Sequence, residues 1–291
     1  MYTVEELRTP VEGISRIIEN EDGTQISTIV AGNGSKDIVL AHGYGATKIE
    51  WNILSRMLDL DEYRLIVFDQ RGHGDTSIGS DGISSTSMAS DYKAVLEAYD
   101  VKDGVLGGHS MGGFLAQKFL LTYPEVANAR LKGCLLIATF AGDINRDNFQ
   151  NRLQIPLIKS GILVSMIKFK ALGHAFSKSL VGDNWEESIS TVFVDVFREQ
   201  NHQALIPILS AFGDENYYAQ LKNISLPCTV IVGEKDSTTP AFHTDEMHAN
   251  IPNSTVVKVP GSGHMINWEA PQALLEELEK LAAGSPVSQL E

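Results

Sequence analysis

The sequence predicts an α/β protein: a mostly parallel sheet of eight strands, flanked by helices, with a helical insertion after the sixth strand. Three observations lead to this fold. Strand-like and helix-like segments alternate along most of the chain, as a mostly parallel sheet requires. One strand, at 104–108, runs into a helix through a serine with glycine close on both sides. The segment 142–221 carries helical patterns without an intervening strand, so it interrupts the alternation.

The predicted strands follow from short apolar runs rich in β-branched residues. The first two, 13–19 and 25–31, are separated at 20–24 by a sequence typical of a hairpin turn. The other six strands are expected at 38–41, 64–68, 104–108, 133–138, 228–232 and 255–259. The helices between them are expected at 50–58, 88–99, 111–123, 240–250 and 271–282, the last with Pro271 in its first turn.

The insertion divides the chain into a first core part at 1–141, a helical part at 142–221 and a second core part at 222–291. Helices are predicted in the insertion at 155–170, 186–200 and 201–213. Its larger apolar residues either pack onto the core or line a pocket, and the sequence does not separate the two groups. These residues are Leu157, Ile162, Met166, Phe169, Phe176, Phe193 and Phe197. The polar end of the chain, 284–291, is expected to fray.

The strand-to-helix turn contains Gly108-His109-Ser110-Met111-Gly112, which fits the pattern G-x-S-x-G. In such a turn the serine hydroxyl stands clear of the sheet. Glycine is required on both sides because a Cβ would collide where the strand and helix pack closely. The turn also directs the Met111 amide toward any group bonded to Ser110. The alternative is an ordinary glycine-rich connection, because short motifs also occur by chance.

A nucleophilic serine needs a base and a group that orients the base, and both follow downstream. Asp236 lies in the loop 235–240 after the predicted strand 228–232, and His264 lies in the loop after the strand 255–259. Both therefore lie at the carboxyl edge of the sheet, where α/β proteins place their chemistry. Asp143, which follows the sixth strand, is the alternative for the acid, but Asp236 is preferred because its strand immediately precedes the histidine-bearing one.

A second backbone donor is expected from the loop His42-Gly43-Tyr44-Gly45, which follows the buried strand 38–41. The amide of Tyr44 beside that of Met111 would give two fixed N–H donors for a developing negative oxygen. Such an oxyanion hole lowers the barrier of acyl transfer by several kcal/mol.

These motifs together resemble the α/β-hydrolase superfamily, in particular its esterase, lipase and haloperoxidase-like members. The resemblance covers nearly the whole chain outside the insertion. It rests on the segments 42–45, 69–77, 108–113, 233–236 and 263–264. It implies an α/β-hydrolase fold and a catalytic triad of Ser110, Asp236 and His264. It also implies that the insertion forms a helical cap over the active site.

Other polar residues near these motifs are expected to be structural. His73 and Asp69 belong to a tight turn, and the resemblance gives Asp69 the role of bracing it. His109 is expected to pack or bond to the backbone, and His42 to fix the shape of the early loop, residues 42–45. No cluster of Cys, His or carboxylate residues has the spacing of a metal site, and no glycine-rich loop fits a nucleotide phosphate. We therefore expect neither a metal nor another cofactor.

The expected reaction is hydrolysis of a small-to-medium, largely apolar carboxylic ester or lactone through an acyl-enzyme. Related dehalogenases and epoxide hydrolases use aspartate where this chain has Ser110. Carbon–carbon bond hydrolases of ring-cleavage products use serine, but they usually carry asparagine at the position of His109. Perhydrolysis, and a role as a small-molecule receptor or regulatory protein that keeps the triad, stay open because the motifs are the same.

Composition agrees with this assignment. The chain has 291 residues, 43% of them hydrophobic, enough for one core with an insertion. Its net charge of −14 argues against nucleic acid and anionic membrane surfaces as partners. No secretory segment is visible at the start, and the most apolar run, 155–172, is interrupted by three lysines, so a cytoplasmic protein without a membrane span is expected. Cys134 and Cys228 are expected to be buried core residues. The oligomeric state is not determined by the sequence.

Overall fold

A computed structural model describes residues 2–183 and 185–284. Residues 285–291, within the tail that is predicted to fray, lie outside the described residues. All eight predicted strands are present in one sheet, which confirms the expected fold class. The strands are β1 Ile14–Glu19, β2 Gln25–Ala31, β3 Lys36–Ala41, β4 Tyr63–Phe68, β5 Gly104–His109, β6 Leu131–Ile137, β7 Cys228–Gly233 and β8 Ser254–Val259.

The strand order in the sheet is β1-β2-β4-β3-β5-β6-β7-β8. Strand β2 is antiparallel to both β1 and β4, while every other neighbouring pair is parallel. The predicted hairpin joins β1 and β2, and the Asn20 amide donates to the carbonyl oxygen of Thr24 at 2.9 Å. The parallel strands all point the same way, so the loops after β3, β5, β7 and β8 meet at one edge of the sheet.

Helices cover both faces of this sheet. Those outside the insertion are α1 Val4–Arg8, α2 Asn52–Met57, α3 Ser85–Ala98, α4 Met111–Thr122, α5 Pro124–Arg130, α11 Ala241–Asn250, α12 Ile266–Glu269 and α13 Pro271–Ala283. Alternate residues of the central strands face opposite cores: Leu106 packs with α3 and α4, and Val105 with α2 and α13. Pro271 opens α13 as predicted, and Gly284 ends it in the left-handed conformation with φ 67°.

The described residues of the insertion contain five α-helices and no strand of the sheet: α6 Phe149–Lys159, α7 Ile162–Met166, α8 Lys170–Lys178, α9 Glu187–Glu199 and α10 Ile206–Asp214. The single helix predicted at 155–170 is wrong. The first helix begins earlier because the Asn148 side chain accepts a hydrogen bond from the Asn151 amide and caps it. It ends before Gly161, whose φ of 74° no right-handed helix accommodates.

Hydrogen bonds attach the end of α8 and the chain after it to the loop that carries His264. The His264 amide donates to the carbonyl oxygen of Leu180 at 2.7 Å, and the Asp183 amide donates to that of Gly261 at 2.7 Å. Glu269 accepts from the amides of Gly182 and Gly263, at 2.7 Å and 3.0 Å. Burial raises the pKa of Glu269 more than these hydrogen bonds lower it. The insertion and the histidine loop are therefore fixed to each other through the backbone.

Both cysteines are buried and free, as predicted, and they lie opposite each other on β6 and β7. None of the helices in 2–183 and 185–284 is long and apolar enough to cross a membrane.

Candidate active site

Ser110 occupies a sharp turn between β5 and α4. Its backbone has φ 51° and ψ −115°, a strained conformation for a residue with a side chain. A Cβ at Gly108 would overlap the carbonyl oxygen of Gly112, and one at Gly112 would overlap that of Ala41. Both glycines are therefore sterically required, as the sequence pattern indicates. The Ser110 amide donates to the carbonyl oxygen of Ile137 at 2.9 Å, which ties the turn to β6.

Ser110, His264 and Asp236 lie in one line of hydrogen bonds. The Nε2 atom of His264 lies 3.0 Å from the Ser110 hydroxyl, and its Nδ1 atom lies 2.9 Å from Oδ2 of Asp236. Asp236 and His264 are buried, whereas Ser110 is partly exposed. This arrangement holds a base against a hydroxyl group and a carboxylate against the base.

The Asp236 carboxylate is held by its own loop. Its Oδ1 accepts from the amides of Thr238 and Thr239, at 2.8 Å and 2.9 Å, and its Oδ2 accepts from the Thr239 hydroxyl at 2.8 Å. Burial raises the pKa of Asp236, but the adjacent His264 and the hydrogen bonds from Thr239 outweigh burial and lower it. The carboxylate is therefore charged at neutral pH and fixed in direction.

Asp143, the alternative acid, lies in a turn at the start of the insertion with φ 48°. Its amide donates to the carbonyl oxygen of Glu215, and its own carbonyl oxygen accepts from the Arg146 amide. None of its hydrogen bonds within the described residues reaches His264, whose Nδ1 faces Asp236.

The early loop lies beside Ser110, and its amides divide into two kinds. The Gly43 amide donates to Oε2 of Glu50 at 3.3 Å, and the Gly45 amide donates to Nε2 of His73 at 3.2 Å. In contrast, the amides of Tyr44 and Met111 donate no hydrogen bond within the described part of the chain. Two unpartnered donors thus remain next to the serine, while their neighbours fix the backbone.

His42 and His73 both brace this loop; the sequence predicts that role for His42, whereas for His73 it predicts only a place in the tight turn. The Nε2 atom of His42 accepts from the Gln70 amide at 2.9 Å, so its Nδ1 carries the proton and donates to the Gly43 carbonyl oxygen at 2.7 Å. Burial lowers the pKa of both imidazoles. Asp69 accepts from the amides of Lys48 and Asp75, so it supports the following turn.

Glu50 is a residue of the site that the sequence motifs do not indicate. Its Oε1 lies 2.7 Å from Nδ1 of His109, and neither atom has another partner within the described residues. Nε2 of His109 lies 2.9 Å from the backbone carbonyl oxygen of His264. Burial alone would lower the pKa of His109, but the Glu50 carboxylate and the His264 carbonyl oxygen outweigh burial and raise it. His109 therefore contacts the backbone, as expected, but it also pairs with a buried carboxylate.

The Tyr44 side chain connects the early loop to the insertion. Its hydroxyl lies 2.9 Å from Nδ1 of His202, and Nε2 of His202 lies 2.7 Å from the carbonyl oxygen of Phe197. The Tyr44 ring also meets the rings of Phe197 and Phe212 edge-on. Tyr44, whose amide has no partner within the described residues, is thus held through its ring by Phe197 of α9 and Phe212 of α10.

A cavity of about 90 Å³ opens over the Ser110 hydroxyl, with His264 and Tyr44 at its base. Most of its remaining wall is apolar and comes from the insertion: Ile144, Ile155, Ile158, Phe176, Leu180, Phe193, Phe197, Leu209 and Phe212. The structure therefore separates the apolar residues that the sequence leaves unsorted. Phe176, Phe193 and Phe197 line the cavity, Leu157 is partly buried, and Ile162, Met166 and Phe169 are exposed.

No group of three or more His, Cys, Asp or Glu side chains within residues 2–183 and 185–284 is arranged to hold a metal ion.

Sequence and structure comparisons identify relatives across most of the chain. The model of the alpha/beta hydrolase family matches residues 38–277. A non-heme chloroperoxidase of Kitasatospora aureofaciens is 26% identical over 259 residues, which cover 86% of this chain and 92% of that protein.

A karrikin insensitive 2 receptor of Petunia hybrida is 20% identical over 254 residues, covering 86% of this chain and 92% of the receptor. Among solved structures, an esterase from Exiguobacterium antarcticum superimposes with a TM-score of 0.81 at 23% identity, over 93% of this chain and all of that one. At that identity the structural likeness establishes the shared fold.

Proposed function

The chain belongs to the alpha/beta hydrolase family, and on that basis we propose that it is a serine hydrolase. Its substrate is a small-to-medium, largely apolar carboxylic ester or lactone, which it cleaves through an acyl-enzyme. One observation carries this proposal: the hydrogen-bonded line from Asp236 through His264 to Ser110 ends at the floor of an apolar cavity.

In the first step, the Ser110 hydroxyl oxygen attacks the ester carbonyl carbon while Nε2 of His264 takes the hydroxyl proton. Asp236 keeps the other nitrogen of His264 protonated and stabilises the imidazolium that forms. The 3.0 Å separation between His264 Nε2 and the Ser110 hydroxyl is within the range for direct proton transfer.

The negative oxygen of the tetrahedral intermediate binds to the amides of Tyr44 and Met111. Their lack of other partners supports this role, because a donor already engaged would have to break a bond first. The bonds from Gly43 and Gly45 to Glu50 and His73 keep the loop in place, so little reorganisation accompanies the reaction.

The intermediate then collapses, and His264 returns its proton to the leaving alcohol. A water molecule next attacks the Ser110 acyl ester with His264 again as the base, and the acid product leaves. Both half-reactions use only side chains and amides of the site together with water.

We assign Glu50 and His109 as positioning residues in this mechanism. The pair joins the Gly43 amide on one side to the His264 carbonyl oxygen on the other. Loss of the pair would therefore shift the early loop and His264 relative to each other. Small displacements of this kind are costly, because catalysis depends on the geometry of the reacting groups.

The insertion, which we delimit at 142–221 between core parts 1–141 and 222–291, acts as a cap in this proposal. Its residues Ile155, Phe193 and Phe212 form cavity walls above Ser110. An apolar wall selects apolar acyl groups because their burial is favourable. The cap also contacts the early loop through the hydrogen bond between His202 and Tyr44.

A receptor is the second candidate function, because a protein named as a receptor is among the relatives. Its geometry would be the same, so turnover decides between the two. We expect continuous hydrolysis of p-nitrophenyl butyrate with saturation in substrate. A single slow turnover, or thermal stabilisation by a ligand that is never released as product, would favour the receptor. A preference for a ring-cleavage diketone over every ester would favour carbon–carbon hydrolysis.

A further inference from the structure

The insertion contains a basic stretch in an otherwise acidic protein. Residues 149–178 contain five basic side chains and no aspartate or glutamate, whereas the whole chain has a net charge of −14. The basic residues are Arg152, Lys159, Lys168, Lys170 and Lys178. This stretch spans α6, α7 and α8, so the positive charge is concentrated in three consecutive helices.

The same three helices also carry exposed apolar side chains. Six of the ten exposed large apolar residues in the described part of the chain lie between 149 and 172. The most exposed are Phe149 at 81% and Phe169 at 69%. We call the solvent side of α6 to α8 the insertion face; its apolar residues are Phe149, Leu153, Ile162, Met166, Phe169 and Leu172.

In α6 and α7, helical periodicity places the exposed apolar residues away from the buried side. In α6, Phe149, Leu153 and Pro156 follow one another at i, i+4 and i+7 and are exposed. Ile155 and Ile158 of the same helix line the cavity over Ser110. Helix α7 packs against α6, and in it Ile162 and Met166 are exposed while Leu163 is buried. At α6, a single helix therefore lies between the insertion face and the cavity.

Two of the lysines on the insertion face have no acidic partner. Lys170 pairs with Glu187, but neither Lys159 nor Lys168 makes an ion pair within the described residues. Exposed apolar side chains flanked by free cations are typical of a surface that binds anionic lipid.

We propose that the insertion face docks onto the surface of a membrane that contains anionic lipid. The apolar side chains insert at the boundary between headgroups and acyl chains, while the lysines and Arg152 contact lipid phosphates. A second copy of this chain fits less well, because a two-fold symmetric contact would bring the same cations face to face.

The net charge of the chain does not prevent this docking. Interactions between exposed charges are largely screened beyond a Debye length of about 8 Å at physiological ionic strength. Carboxylates on the distant parts of the molecule are therefore screened from the lipid, whereas the cations of the insertion face touch it. On the insertion face, attraction between the cations and anionic lipid therefore replaces the repulsion that the net charge of the whole chain predicts.

Docking would place the cavity close to the lipid, because α6 is about 10 Å in diameter. An apolar molecule dissolved in the membrane could then reach the cavity across a short distance. The docking itself does not depend on the proposed hydrolase activity, and its test uses no turnover.

The test is co-sedimentation of the full chain with vesicles of phosphatidylcholine alone and vesicles of equal parts phosphatidylcholine and phosphatidylglycerol. We expect binding to the anionic vesicles at least tenfold stronger than to the neutral ones, and weaker binding as salt increases. The double variants Phe149→Ser/Phe169→Ser and Lys159→Glu/Lys168→Glu should each lower binding at least tenfold.

Two controls make comparable substitutions away from the insertion face. Ile17→Ser alters an exposed residue of β1, and Lys102→Glu alters an exposed lysine at the opposite edge of the sheet. Both should bind like the unchanged protein, and circular dichroism should show that all variants fold. The proposal is overturned by equal affinity for the two vesicle types, by unchanged binding of the double variants, or by a dimer in lipid-free solution that Phe149→Ser/Phe169→Ser dissociates.

Discussion

Glu50 and His109 form a buried contact at which two backbone segments of the site meet. Oε1 of Glu50 lies 2.7 Å from Nδ1 of His109, and both side chains are almost completely inaccessible to solvent. The other oxygen of Glu50 accepts from the amide of Gly43, and the other nitrogen of His109 lies against the carbonyl oxygen of His264. The early loop and the loop that carries His264 are thereby linked through these two side chains.

Glu50→Gln tests this link. The amide can still accept from Gly43 but no longer carries the charge that raises the pKa of His109. We expect kcat for p-nitrophenyl butyrate to fall about tenfold or more with little change in KM, because positioning in the transition state is lost while the cavity is intact. The pKa of His109, followed by NMR, should fall in the same variant. Glu62→Gln, an exposed change of the same kind, is the control. Full kcat in Glu50→Gln would remove the positioning role.

The choice between the two candidate acids is tested by a pair of identical substitutions. Asp236→Asn should lower kcat by about 10³- to 10⁴-fold, because the orienting charge beside His264 is lost. Asp143→Asn should leave kcat within about twofold, since none of the hydrogen bonds of Asp143 within the described residues reaches His264. Steady-state kinetics on one ester measures both. The reverse pattern would reassign the acid to Asp143.

The cavity predicts the preferred acyl length. The cavity has a volume of about 90 Å³ and walls of bulky apolar side chains, so it has room for an acyl chain of limited length. We expect kcat/KM to rise about fourfold per methylene from acetyl to butyryl esters and then to fall, since each buried methylene contributes about 0.8 kcal/mol while space remains.

Phe193 lines this cavity, so Phe193→Ala should move the optimum to longer acyl chains. Phe169→Ala removes the same side chain from the exposed side of the insertion and should leave the optimum unchanged. The same ester series measures both variants. An optimum that shifts equally in both, or in neither, would show that the cavity does not bind the acyl group.

His243 gives a prediction on stability. It is buried against Phe140 and Tyr218, and burial together with Arg146 lowers its pKa from 6.5 to about 4. Between these pH values the unfolded chain binds a proton that the folded protein does not, so acidification favours unfolding. The contribution of His243 to the free energy of unfolding should decrease by about 2 kcal/mol from pH 7 to pH 5.

Urea unfolding of the unchanged protein and of His243→Gln at both pH values measures this contribution as a difference. The variant should lose about 2 kcal/mol less on acidification, because glutamine does not titrate. Equal losses in the two proteins would show that His243 is protonated in the folded state.

The local parts of the site are readable from the sequence because they obey steric rules. The glycines at 108 and 112 are dictated by the close approach of β5, β3 and α4, and that requirement is visible in five consecutive letters. Asp236 and His264 can be located because parallel strands bring their following loops to one edge. These inferences need only the strand order.

The remaining features depend on packing between distant segments. Glu50 precedes a buried tryptophan and has no motif around it; its role arises from its contacts with Gly43 and His109. The helix break at Gly161 depends on a backbone conformation, and a single glycine also occurs inside helices. The packing of the five α-helices decides which apolar residues of the insertion line the cavity. The periodicity of each single helix does not determine that packing.

The central claim, that Ser110 is the nucleophile, is tested most directly by covalent labelling with a fluorophosphonate and location of the adduct by peptide mass spectrometry. The proposed mechanism predicts one adduct, on Ser110, together with complete loss of ester turnover. Ser110→Ala should take up no label, fold normally and lose about 10⁴-fold or more in kcat. An adduct on another serine, or an active Ser110→Ala variant, would contradict the mechanism.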